Sequence, residues 1–306
     1  MTPLISICIP AYKNPDLLRR LLHSINAQTF SDYEIVCTDD SDDDEVRHVI
    51  LEYQQHLPIH YLKNEPALGS PANWNKAISF AKGVWIKIMH GDDWFSSQDS
   101  LQEFAEVARE NEVGFIFSAF KDGAFKRNVI SKVQLKSLQF NPTVLISNNF
   151  IGHPSVMMVN REVAVKYDDN VKWLVDIDFY IRCLQQTNFK FIDMACVNIG
   201  TSDTQLTKQI HNNHKIIVEE HLYLLQKFGY EILNNWKLYD AYWRTIRNAG
   251  ITNKQQFETT YSPNKLAAEI IRMVERQSKI NPGILKFGAF SKLIMSLSFL
   301  GRSTKD

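Results

Sequence analysis

From residue 4 to about 118 the chain alternates short apolar strands with amphipathic helices, and that alternation leaves few folds open. Leu4 to Pro10 reads as a β-branched strand, followed by Asn14-Pro15, an N-cap with proline at the first helical position. Leu17, Leu18, Leu21, Leu22 and Ile25 then form the stripe of a half-buried helix. Tyr33 to Thr38 predicts a second strand, and Val46, Val49, Ile50 and Tyr53 mark the helix after an acidic turn. Ile59 to Leu62 predicts a third strand, with a helix from about Pro71 to Lys82 that Gly83 ends as a C′ residue. Val84 to Met89, Leu101 to Glu110 and Val113 to Ser118 continue as strand, helix and strand. Elements of these lengths build βαβ units, hence an α/β fold whose mostly parallel sheet is flanked by helices. Ligands of such sheets bind beyond the carboxyl ends of the strands.

Beyond residue 118 the pattern loosens, with basic residues among short apolar runs. A helix is predicted over Val175 to Thr187 and a short strand over Phe189 to Asp193. From about 208 onward four amphipathic stretches read as helices: 208–227, 231–248, 264–279 and 284–300. A chain of 306 residues with 44% hydrophobic content can bury one large core, or one core plus an appendage. Its 34 basic and 34 acidic residues cancel, which argues against a nucleic-acid partner. The start, M-T-P-L-I-S-I-C-I-P, lacks the basic n-region of a signal peptide, and no apolar run approaches the roughly 20 residues of a membrane span. Cys8, Cys37, Cys183 and Cys196 are dispersed, as small buried hydrophobes would be. The chain reads as cytoplasmic.

Three acidic clusters fall where a ligand of such a sheet would lie. T-D-D-S-D-D-D (38–44) follows strand two: Ser41 or Asp42 would cap the next helix, while Asp39 faces the crevice, able to accept from a base N–H or ribose hydroxyls. H-G-D-D (90–93) follows strand four; paired carboxylates suit a hard divalent cation that bridges to phosphate, and Gly91 lets backbone approach the ligand. V-D-I-D-F-Y-I-R (175–182) places Asp176 and Asp178 in the first turn of a helix, with Arg182 spaced to pair with Asp178. Asp176 follows Trp173, Leu174 and Val175, and an apolar setting would raise its pKa toward that of a useful base.

These segments resemble, in order, the family 2 inverting glycosyltransferases of GT-A fold: S-I-C-I-P-A-Y-K-N (6–14), Y-E-I-V-C-T-D-D-S (33–41), N-E-P-A-L-G-S-P-A-N-W-N-K-A-I (64–78), A-K-G-V-W-I-K-I-M-H-G-D-D (81–93) and the V-D-I-D…R helix. The resemblance implies a GT-A (Rossmann-like) catalytic domain over 1–205, its nucleotide-sugar half about 1–118 and acceptor half about 119–205, with a helical C-terminal region over 206–306. It implies that Pro10, Ala11 and Tyr12 line the nucleotide pocket, that Asp39 holds the base, and that Asn73 and Asn75 face the donor. His90, Gly91 and Asp92 take the place of the D-x-D motif, with Asp92 the ligand of Mn²⁺ or Mg²⁺. Asp176 takes the place of the catalytic base. The implied donor is a nucleoside-diphosphate sugar and the acceptor a saccharide, free or lipid-linked, in bacterial surface-polysaccharide synthesis.

Three departures stand out: His90 replaces the first carboxylate of D-x-D, Val175 the glutamate before the base, and Trp74 an arginine. Imidazole can ligate Mn²⁺ or bond ribose. His211 and His214 are candidates for a C-terminal metal ligand, or exposed helix histidines. His153 and Trp173 are candidates for acceptor contact, or for turn and packing roles. A sugar nucleotidyltransferase is disfavoured by P-A-Y-K-N after strand one, which lacks a glycine-rich phosphate loop; a non-catalytic nucleotide-sugar binder remains open.

Between Arg272 and Asp306 seven Lys/Arg oppose two acids, net +5. The apolar residues of Ile284 to Leu300 surround Lys286 and Lys292, which fits an interfacial helix on an anionic membrane, at the cytoplasmic face of the inner membrane. A face packed on the catalytic domain or in a homodimer fits equally.

Overall fold

Ile5, Ile7, Cys8 and Ile9 are all fully buried, as only an interior strand covered on both faces allows. In the computed structural model, which describes residues 2–110, 112–122, 126–201, 210–251, 253–261 and 268–302, that strand is β1 (Ile5–Ala11). It pairs in parallel with β2 (Tyr33–Asp39) and β4 (Trp85–Ile88), and β2 pairs in parallel with β3 (Ile59–Lys63). The register sets Ala11 beside Asp39, so P-A-Y and T-D-D leave the sheet together.

The sheet has eight strands in the order β3-β2-β1-β4-β7-β6-β8-β5. Its second half is mixed. β7 (Met157–Asn160) runs antiparallel to both β4 and β6 (Phe115–Lys121), β8 (Phe189–Asn198) is parallel to β6, and β5 (Trp94–Phe95) is antiparallel to β8. Apolar periodicity locates a strand but not its direction, so the parallel pattern of the first half does not carry over.

The helices of this half are α1 (Pro15–Asn26), α2 (Glu45–Tyr53), α3 (Ala72–Phe80), α4 (Ser100–Arg109), α5 (Lys132–Phe140) and α6 (Val175–Leu184). Asn14 caps α1 in a left-handed conformation without a side-chain capping bond. The four buried residues Leu18, Leu21, Leu22 and Ile25, at about 2 kcal/mol each, outweigh the loss of a cap, about 1 kcal/mol. The residues expected to cap α2 do other work: Asp44 is its N-cap, Ser41 Oγ accepts the Lys13 N–H at 2.8 Å, and Asp42 pairs with Lys13 at 3.1 Å. Gly83 does not end α3, which stops at Phe80. A Cβ at Gly83 would lie 2.6 Å from the Ser6 nitrogen, so this glycine serves the close approach of two strands. α5, unforeseen in the sequence, starts on a capping box between Ser131 and Gln134.

The chain divides into two compact units, Met1–Pro142 with Phe150–Gln205, and Thr143–Asn149 with Leu206–Asp306. The boundary expected at 205 lies outside the described residues. The second unit holds α7 (His214–Phe228), α8 (Trp236–Asn248), α9 (Lys254–Tyr261), α10 (Ala268–Ser278), α11 (Pro282–Leu285) and α12 (Gly288–Leu300). α8 is its hub, with Leu238, Tyr239, Tyr242, Trp243 and Ile246 buried against α7, α10 and α12. The starts of the helices expected at 208 and 264 lie outside the described residues. Among the described residues no helix is long and apolar enough to cross a membrane.

Candidate active site

Four segments converge at the carboxyl ends of β1, β2 and β4. Asp39 ends β2 fully buried. Its Oδ1 accepts the Ser41 N–H at 2.8 Å, and its Oδ2 accepts from Tyr61 at 2.7 Å and Lys63 Nζ at 3.0 Å. Asp40 holds the following loop, its Oδ1 taking Asn64 Nδ2 at 2.6 Å and the Leu68 N–H at 3.0 Å, its Oδ2 the Gly69 N–H at 2.8 Å. Pro10 and Ala11 lie beside Thr38 and Asp39, and Tyr12 leaves the strand half exposed.

Both asparagines of α3 are ties. Asn73 Nδ2 donates to the carbonyls of Ala11 (3.2 Å) and Thr38 (3.4 Å). Asn75 donates to the Tyr167 carbonyl at 2.9 Å and accepts the Tyr167 N–H at 2.7 Å. Between them Trp74 sets its ring 4.6 Å from His90 and 5.1 Å from Tyr167, and Tyr167 stacks at 4.0 Å on Phe179 of α6. One aromatic chain therefore joins α3, the end of β4 and α6.

The H-G-D-D turn is anchored from below. His90 N donates to Ser155 Oγ at 2.9 Å, and the Gly200 N–H donates to Asp93 Oδ1 at 2.9 Å. Lys87, fully buried in β4, donates to the Ser155 carbonyl and lies 4.9 Å above the Phe104 ring. Arg20 of α1 donates to the Asp92 carbonyl at 2.6 Å while its guanidinium covers Trp94 at 3.7 Å. A Cβ on Gly200 would meet the Asp92 carbonyl oxygen at 1.8 Å, so no other residue fits there without moving the turn.

Burial sets the charges. It pushes Lys87 down to about 7, against the pull of Cys196 and Asp93. It pushes Asp93 up, helped by the charge of Asp92 and opposed by hydrogen bonds to Ser155 and Gly200. It holds His90 well below the usual imidazole range, so the ring is neutral at pH 7, and His90 Nε2 is buried with no hydrogen-bond partner. His153 precedes a 3-10 turn (Pro154–Val156) and not a strand. It keeps an exposed surface while its ring lies edge-on to Phe120, and desolvation lowers its pKa against the charge of Asp92.

Asp176 sits in the first turn of α6, where the dipole favours its charge. Burial wins: it pushes the carboxyl up to about 7, and Oδ1 is shut off from water with no partner. Its charge acts on Tyr167 and on Tyr180, and Tyr180 also feels Asp93, which draws α6 and the H-G-D-D turn to one region. Asp178 instead pairs with Arg182 at 2.5 Å. Trp173 is half-buried just before α6.

The H-G-D-D turn carries donor types that suit Mn²⁺ or Mg²⁺. His90 and Asp92 offer an imidazole and a carboxylate. Among the described residues no three His, Cys, Asp or Glu side chains converge as a cage, and His211 and His214 are exposed in the second unit.

Sequence reading missed Lys87, Ser155, Gly200, Arg20 and Tyr167. Lys87 carried a signal, as the one charge inside the apolar run V-W-I-K-I-M. The others act across 65 residues or more, with no local pattern to give them away.

The fold has known counterparts. The mannosyltransferase PcManGT from Pyrobaculum calidifontis, solved in complex with GDP-Man and Mn²⁺, superposes with a TM-score of 0.59 at 12% identity, over 98% of this chain and 88% of that one. In sequence, an uncharacterized glycosyltransferase (MJ1057) of Methanocaldococcus jannaschii is 28% identical over 62% of this chain and 67% of its own length. The putative teichuronic acid biosynthesis glycosyltransferase TuaG of Bacillus subtilis is 24% identical over 60% of this chain and 73% of its own. The family model described as "Glycosyl transferase family 2" matches residues 6–167, more than half of the chain. The chain belongs to glycosyl transferase family 2 and has the GT-A fold.

Proposed function

We propose that the protein is an inverting glycosyltransferase that moves a monosaccharide from a nucleoside-diphosphate sugar to a saccharide acceptor in the assembly of a surface polysaccharide. Asp176 carries this reading: a carboxyl pushed up to about 7, one oxygen buried and unpartnered, at the helix start that the aromatic chain joins to the H-G-D-D turn. A base poised there takes the proton of an acceptor hydroxyl as that oxygen attacks the anomeric carbon. The bond from that carbon to the diphosphate oxygen breaks on the opposite face, so configuration inverts. A one-step displacement needs one base on the acceptor hydroxyl, the role this reading gives Asp176.

Pro10, Ala11 and Tyr12 line the nucleotide side, and Asp39, with its oxygens taken by Ser41, Tyr61 and Lys63, sets the wall against which the base lies. Asn73 and Asn75 act by fixing β1, β2 and Tyr167, and Gly91 leaves the turn open to the diphosphate. Asp92, with His90, would hold Mn²⁺ or Mg²⁺, which as a Lewis acid offsets charge on the departing diphosphate. His153 and Trp173 lie on the acceptor side. The polysaccharide context rests on the teichuronic acid biosynthesis for which TuaG is named, and the acceptor of this reading is a saccharide, free or lipid-linked.

The test is a panel of UDP-, GDP- and TDP-sugars, each with and without Mn²⁺. One nucleotide class should raise Tm, more so with the cation, and then release nucleoside diphosphate when an acceptor is present. NMR of the product should show the inverted anomer. Binding with no release for any acceptor would make the protein a nucleotide-sugar binder, and a retained anomer would remove the single-base mechanism.

A further inference from the structure

α12 is amphipathic the wrong way round for a helix in a water-soluble bundle. Its buried face is made of Ser291, Met295 and Ser298. Ser291 Oγ accepts from Trp243 Nε1 at 3.1 Å, and Ser298 Oγ meets the Tyr239 hydroxyl and Arg276, each at 2.6 Å. Four apolar side chains point out: Phe290 is 52% exposed, Leu293 56%, Leu297 62% and Leu300 77%. Positions 290, 293, 297 and 300 recur at helical spacing and share one face. Phe287, 74% exposed, extends this stripe at the N-terminal end.

Scattered exposed leucines are ordinary, but a continuous stripe on a helix that hides its serines marks a surface meant to be covered. Charge identifies the cover. From Arg276 to Lys305 the sequence holds Arg276, Lys279, Lys286, Lys292, Arg302 and Lys305 and no Asp or Glu. Lys279, Lys286 and Lys292 are exposed. A two-fold contact between copies would set this patch against itself, bringing lysine to lysine with no carboxylate of the segment to offset it. A surface with an apolar layer beneath anionic groups satisfies both features at once.

We propose that the outward face of α12 docks on an anionic lipid surface, with Phe287, Phe290, Leu293, Leu297 and Leu300 at the boundary between headgroups and acyl chains. Lys286 lies among the headgroups, flanked by Lys292, whose ammonium rests 5.0 Å from the Trp236 ring centre. The contact is peripheral, made from one side, and stands apart from the catalytic reading.

The full chain, spun with vesicles of phosphatidylcholine alone or with added phosphatidylglycerol, tests this. The protein should pellet with the anionic vesicles, stay in solution with the neutral ones, and come off in 0.5 M salt. Replacing Phe290, Leu293 and Leu297 together by Ser should abolish pelleting with Tm unchanged, since all three are exposed. Lys286→Glu, a milder variant, should weaken it by about fivefold or more. A wild-type chain that ignores anionic vesicles, or pelleting that survives both variants, overturns the proposal. So does a concentration-dependent dimer that these same substitutions dissociate, which would give the face to a second copy.

Discussion

Replacing Asp176 by Asn should sharply slow transfer and, in alkaline buffer, make the protein more stable. Both effects have one cause. An ordinary aspartate titrates near 3.8, and Asp176 is pushed up to about 7 by burial, so its ionised form is disfavoured in the fold. At about 1.4 kcal/mol per pH unit, the gap corresponds to about 4 kcal/mol. Asp176 keeps part of its surface in contact with water, which reduces the working figure to about 2 kcal/mol. The sign follows from linkage: below 3.8 the carboxyl is protonated in both states and nothing is lost. Between 3.8 and 7 the unfolded chain gives up the proton while the fold keeps it, so stability falls as pH rises and levels off above 7. Asn carries no such penalty at any pH. Its amide inherits the same unpartnered site, so the comparison across pH isolates the charge. Scanning calorimetry of wild type and Asp176→Asn at pH 5 and pH 8.5 should show the variant gaining several degrees at pH 8.5 relative to pH 5. Transfer by the wild type should climb with pH and level off above about 7, and the variant should lose 10²- to 10⁴-fold while still binding donor. A stability difference independent of pH would show that the carboxyl is not held protonated by burial. Transfer that survives the substitution would show that Asp176 is not the base.

Two further changes probe the support beneath the H-G-D-D turn. Lys87→Met keeps the volume and removes a desolvated cation, so Tm should move by only a few degrees; loss of the tie to Ser155 should still cost transfer about ten- to a hundredfold through a misplaced His90 and Asp93, and unchanged transfer would deny Lys87 any positioning role. Gly200→Ala drives a methyl group into the Asp92 carbonyl and should destabilise the first unit by about 3 kcal/mol, so a urea midpoint equal to wild type would mean that the turn gives way freely.

The alternation of elements was legible because each buried strand and each amphipathic helix obeys a period set by its own backbone, whatever it packs against. β1 to β4, with α1 to α3 between them and α4 after them, follow the runs that the sequence marks out, and Asp39, Asp92 and Asp176 stand at element ends for the same local reason. Where local rules erred, a distant neighbour had intervened. Gly83 looked like a helix stop and is a close approach to Ser6. Ser41 looked like a cap and binds Lys13. The strand at Met157–Asn160 turned antiparallel, because direction depends on the path of the connecting chain and leaves no mark on periodicity.

What the sequence by itself determined, then, is the α/β layout, the order of its motifs and the family they belong to, since these rest on backbone periods and residue types at fixed spacing. Tertiary structure decided most of the electrostatics. The neutral His90, the depressed Lys87 and the outward-facing leucines of α12 each depend on which side chains arrive from far along the chain to displace water, whereas the raised Asp176 follows the apolar Trp173, Leu174 and Val175 before it. Desolvation is a property of a place in the fold, and an apolar run beside a charge points to it only in part.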